Sequence, residues 1–103
     1  MAMVIEIKKT GADAVIALSG RLDTTTAPVL DKTIREDIPE GVNLTLDLKG
    51  LEYISSAGLR VLLTAQKRLC KRGSMKLRNV CESVMEIFDM TGVADILVIE
   101  TAF

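Results

Sequence analysis

The chain has 103 residues, 49% of them hydrophobic, with 13 Lys and Arg against 14 Asp and Glu and no His. That length suits one domain, and that apolar share lets a chain of this size bury a core without disulfide staples. A net charge of −1 and only three aromatic residues (Tyr53, Phe88 and Phe103) leave nucleic-acid binding without its electrostatic and stacking components.

Ile5 and Ile7 alternate with Glu6 and Lys8, the period-2 pattern of a half-buried strand. A turn at Thr10-Gly11-Ala12-Asp13 leads to the apolar run Ala14 to Leu18, which suits a buried central strand, with Gly20 marking its end. Thr24, Thr25 and Thr26 offer N-cap oxygens, and Pro28 fits a first helical turn. Ala27, Leu30 and Ile34 then predict a helix to about Glu36, which Pro39 and Gly41 break. Leu44, Leu46 and Leu48 predict a third strand with one apolar face. After Ser56, Leu59, Leu62, Leu63, Ala65 and Leu69 fall on one helical face, with Lys71 and Arg72 in the last turn and Gly73 as C-cap. Met75 and Leu77 predict a fourth strand; Val84, Ile87 and Phe88 predict a short helix closed by Gly92. Ile96 to Ile99 reads as a last strand. The sum, β-β-α-β-α-β-α-β, is a single α/β domain over residues 1–103, with helices packed on one sheet face and the other less covered.

Cys70 and Cys81 match no zinc spacing and read as small apolar residues near the core of an intracellular protein. Glu6 and Lys8 stand where a secretory signal needs an apolar stretch. Apolar runs of about four or five residues fall far short of the roughly 20 a membrane helix requires. A cytoplasmic location, without membrane or nucleic-acid partners, is the expectation.

The most informative stretch runs from Asp47 to Arg60: a strand, a short loop, then paired serines at the start of an amphipathic helix. A helix N-terminus presents free N–H groups and a partial positive charge. Those groups favour a capping serine, and they equally favour a phosphate. Both readings stand open for Ser55 and Ser56 on the residues alone. Gly58 in the first turn costs about 1 kcal/mol of helix propensity relative to Ala and permits a close approach from another group.

Tyr53-Ile-Ser-Ser-Ala-Gly-Leu-Arg-Val-Leu resembles the signature loop and helix of STAS domains, the class of bacterial anti-sigma-factor antagonists. Leu18-Ser-Gly-Arg-Leu-Asp23 is similar to the family's second-strand ending, and Ile87-Phe-Asp-Met-Thr-Gly92 to its last-helix motif. The resemblance implies a mixed sheet of four to five strands with helices mainly on one face. It also implies that Ser56 is phosphorylated by a partner that is both serine kinase and anti-sigma factor. Unphosphorylated, such an antagonist binds that partner and releases a sigma factor; phosphorylated, it lets go, and a PP2C-type phosphatase resets it. Asp23 matches an acidic residue used in partner contact, and Ser55, Gly58, Leu59 and Arg60 are the further contact candidates. Many members carry an acidic residue before the phosphoserine, where this chain has Ser55; that departure leaves open kinase recognition and modification of Ser55 instead, with Ser56 the best single candidate because Ala57 carries no hydroxyl.

No metal and no cofactor are expected. Catalysis is not expected: there is no His, no phosphate-cradling glycine loop, and Ser56 with Asp23 lacks a base of useful pKa. The competing reading is a STAS module that does not switch, serving as an accessory subunit of a lipid-transport complex or as a scaffold in a signalling assembly.

Overall fold

A computed structural model describes residues 3–100. Five strands form one sheet in the spatial order of the chain, β1 (Met3–Thr10), β2 (Asp13–Leu22), β3 (Asn43–Ile54), β4 (Ser74–Arg78) and β5 (Ile99–Glu100). β1 and β2 form an antiparallel hairpin. The remaining neighbours are parallel and need helical crossovers. Those crossovers are α1 (Ala27–Asp37), α2 (Ser56–Leu69) and α3 (Glu82–Thr91), the last followed by a short 3₁₀ helix at Val93–Asp95.

The register explains why the core lies on one face. Ile16, Leu46 and Leu77 stand side by side across the three central strands, and all three are fully buried. Their neighbours Val15, Thr45 and Lys76 point to the opposite face, where Lys76 pairs with Glu100 at 3.0 Å. Onto the apolar face α1 lays Ala27, Leu30 and Ile34, α2 lays Leu59, Leu62, Ala65 and Leu69, and α3 lays Val84 and Phe88. The mixed five-stranded sheet and its α/β class match the expectation from sequence.

β3 departs from simple alternation. It gains a residue on β2 between the pairs Ala17↔Asp47 and Ser19↔Gly50, and another between Gly20↔Leu51 and Arg21↔Tyr53. These bulges space the buried residues Leu48, Leu51 and Ile54 by three, so the strand stays in register with the core well beyond Leu48. Gly50 fits the first bulge because a Cβ there would stand 2.6 Å from the Cβ of Ser19.

Three ends differ from expectation. β2 runs through Gly20 (φ +96) to Leu22 rather than stopping there. α2 ends at Leu69 with Cys70 as C-cap, so Lys67 and Arg68, not Lys71 and Arg72, occupy its last turn. Gly73 is needed instead for packing, since a Cβ would collide with the Val42 carbonyl oxygen. The last strand is confined to Ile99–Glu100. Ile96 has helical dihedrals, and Ile96 and Val98 are exposed on either side of the buried Leu97. Cys70 is exposed rather than near the core, while Cys81 is half-buried at the start of α3.

Candidate functional site

The site grows out of the C-terminal ends of β2 and β3, which stay paired up to Leu22 and Ile54. The ladder extends one step further, with Ser55 N–H donating to the Leu22 carbonyl at 2.9 Å. Ser55 then turns the chain into α2. Its backbone is extended, its carbonyl accepts from Leu59 N–H at 2.9 Å, and its Oγ accepts from Gly58 N–H at 3.3 Å. Ser55 is therefore the N-cap, and Ser56 is the first residue of a 14-residue helix. Capping, open to both serines from sequence, falls to Ser55 alone. The side chain of Ser56 is exposed at the positive end of the helix.

Gly58 explains how α2 approaches the sheet so closely. A Cβ on it would stand 2.8 Å from Cγ of Leu22, 2.9 Å from Cγ1 of Ile54 and 3.0 Å from the Leu22 carbonyl oxygen. The close approach is made by this chain's own strand. Gly58 is thus buried, and Leu59, at 7% exposure, belongs to the core. The face of α2 that carries these two residues is turned to the sheet. Arg60, one step round the helix, is exposed.

Asp23 follows Leu22 and organises the turn into α1. Its Oδ1 accepts from the N–H groups of Thr25 (3.0 Å) and Thr26 (3.1 Å). Thr26 Oγ1 accepts from Asp23 N–H and donates to the Arg21 carbonyl, each at 2.8 Å. The hydrogen bond from Thr26 N–H leads the effects that hold the Asp23 carboxyl below its ordinary range. Thr26 is the helix N-cap residue but makes no capping bond to α1; its hydroxyl is spent on the turn. Beside this turn, the Arg21 guanidinium stacks on the Tyr53 ring, 4.3 Å from its centroid.

Between the first turns of α1 and α2 lies an open groove of about 460 Å³. Thr24, Pro28 and Asp31 line one wall, and Ala57, Arg60 and Val61 the other. This groove was not legible in the sequence. Its one available signal was the small residues Ala27 and Ala57 at the starts of two neighbouring helices, which leave space where larger side chains would close it. Asp23, Ser55, Ser56 and Arg60 are thus brought to one end of the fold, at the strand termini where α/β sheets place their sites. Among the described residues no cluster of His, Cys, Asp or Glu is arranged to hold a metal, and no helix is long and apolar enough to cross a membrane.

The family model described as "Mlab, STAS domain" matches residues 5–99. The chain belongs to the STAS domain family. It is similar to the anti-sigma-B factor antagonist of Bacillus subtilis (strain 168), with 33% identity over 94 residues covering 90% of this chain and 86% of that protein. It is also 33% identical to the anti-sigma-B factor antagonist of Listeria monocytogenes over 103 residues, covering 97% of this chain and 90% of the relative. Among solved structures, an anti-sigma factor antagonist from Mycobacterium paratuberculosis shares the fold with a TM-score of 0.84. That match has 21% identity and covers 94% of this chain and 84% of that one.

Proposed function

We propose that the protein is an anti-sigma-factor antagonist that binds an anti-sigma factor with serine kinase activity and is released when that kinase phosphorylates Ser56. One observation carries the choice of residue: Ser55 takes the capping role, so the exposed Ser56 hydroxyl is free at the helix start. A phosphate there accepts from the first N–H groups of α2 and is stabilised by the helix dipole. It also sets about two negative charges beside Asp23 and at the mouth of the α1–α2 groove, where a docked partner would have to desolvate them. The kinship with two anti-sigma-B factor antagonists at 33% identity supports the class of partner.

In this reading the free hydroxyl is the docking-competent state, Arg60 and the groove residues supply contact, and a PP2C-type phosphatase restores the surface. The protein acts by binding in the cytoplasm and catalyses nothing itself. The test is intact mass after incubation with ATP and candidate anti-sigma kinases from the same genome. A gain of one phosphate, lost in Ser56→Ala and kept in Ser55→Ala, is the expected result. No modification by kinases active on their own substrates overturns the switch and leaves a constitutive docking module.

A further inference from the structure

β1 is an edge strand whose outer side has no strand partner among the described residues. Which of its backbone groups face outward follows from the hairpin. Asn43 N–H donates to the Ala12 carbonyl at 2.8 Å, and Asn43 is the parallel partner of Asp13. In a parallel ladder the residue opposite such a donor turns its own N–H and C=O the other way. Asp13 therefore bonds toward β1, where it pairs with Thr10 across the tight turn at Gly11 and Ala12. Counting back by twos, Thr10, Lys8, Glu6 and Val4 bond to β2. Lys9, Ile7 and Ile5 present unpaired N–H and C=O groups at the edge.

The side chains divide by the same parity. Ile5 and Ile7 stand beside Leu18 and Ile16 on the helix-covered face and are partly buried against the core. Glu6 and Lys8 stand beside Ala17 and Val15 on the bare face. Neither takes part in an ion pair among the described residues.

We propose that β1 joins two copies of this chain edge to edge in an antiparallel, two-fold pairing centred on Ile7. In that register Ile7 opposes Ile7, and Ile5 opposes the partner's Lys9, so every outward backbone group over Ile5 to Lys9 finds a mate. Glu6 then falls opposite the partner's Lys8 twice over. Those are non-hydrogen-bonded positions, where facing side chains come closest. The aliphatic stem of Lys9 lies along Ile5 while its ammonium reaches water.

The charges also reject the neighbouring registers. A slip by one pair in one direction sets Glu6 against Glu6, and in the other sets Lys8 against Lys8. Odd slips leave the outward backbone groups unmatched and turn side chains to the wrong face. Edge lysines commonly guard a strand against indiscriminate pairing; here Glu6 converts that guard into a selection for one register. The result is a continuous ten-stranded sheet with its apolar faces aligned.

The experiment is sedimentation velocity on the full chain up to about 1 mM, a range that captures weak interfaces, with circular dichroism to verify folding. Wild type should show a concentration-dependent dimer. Glu6→Lys and Lys8→Glu should each weaken it by roughly tenfold or more, since both cross-strand pairs become repulsive. An equimolar mixture of those two variants should form a heterodimer, and the double exchange Glu6→Lys with Lys8→Glu should dimerise like wild type. A wild type that stays monomeric throughout overturns the proposal. So does a dimer indifferent to the single changes, or a mixture that fails to associate.

Discussion

Replacing Ser55 and Ser56 one at a time separates the cap from the exposed hydroxyl. Ser55→Ala removes the acceptor for Gly58 N–H. Loss of a serine N-cap costs about 0.5–2 kcal/mol. At 3.3 Å the bond is long for its type, which places the expected loss in the lower half, about 0.5–1 kcal/mol. For a domain of this size that corresponds to a melting temperature lower by roughly 2–8 °C. Ser56→Ala removes no bond found for its side chain and should stay within about 0.5 kcal/mol of wild type. Ser56→Asp places a negative charge in the first turn and should raise stability by about 0.3–1 kcal/mol. The same change should weaken partner binding, so stability and affinity move in opposite directions. Urea unfolding followed by circular dichroism resolves these differences through the transition midpoint at constant m. The cap assignment is refuted if Ser56→Ala is as destabilising as Ser55→Ala.

The packing of Gly58 gives a second expectation. Ala should gain about 1 kcal/mol in helix propensity but lose about 1–3 kcal/mol to crowding against Leu22 and Ile54. Net destabilisation by urea unfolding is expected, and a stabilised Gly58→Ala would mean the helix can back away freely. The acid limb of stability should depend on Asp23 and Asp47. Burial raises the Asp47 pKa, but bonds from Asn79 and Lys49 N–H and the Arg78 charge outweigh it, so both carboxyls titrate below their ordinary range. A lowered folded pKa gives stability that is full above about pH 4 and disappears as pH falls through the folded value. Asp47→Asn and Asp23→Asn should each flatten the stability–pH curve there; curves parallel to wild type would show that the carboxylates do not contribute.

Elements with a steady period were legible in the sequence: the alternation of β1 and β4, and the stripes of α1 and α2, sit where the pattern puts them. β3 was legible only to Leu48. Its bulges change the apolar spacing from two to three, and Leu48, Leu51 and Ile54 then look like a loop that happens to be greasy. The end of α2 was misread for a related reason. Gly73 resembles a C-cap, but it answers to a carbonyl of Val42 that is remote in sequence. At the site, the serine pair was visible as chemistry, while the division of labour between Ser55 and Ser56 rests on one hydrogen bond. Leu59 lay on the predicted apolar stripe and proved to be core, so the periodicity was a better guide to it than proximity to Ser56. The α1–α2 groove needed the helix pairing itself, which no local pattern encodes.

A single residue, Ser55, separates the end of the central strand from the start of α2, and it is bonded on both sides. Ser56 thus has no loop to fold away in. A visitor to this surface meets it already ordered and gives up no entropy to shape it. By the same token, a charge added at Ser56 can move only by side-chain rotation and not by the shift of a loop. In the proposed switch, the stiffness that makes docking inexpensive also makes its refusal abrupt.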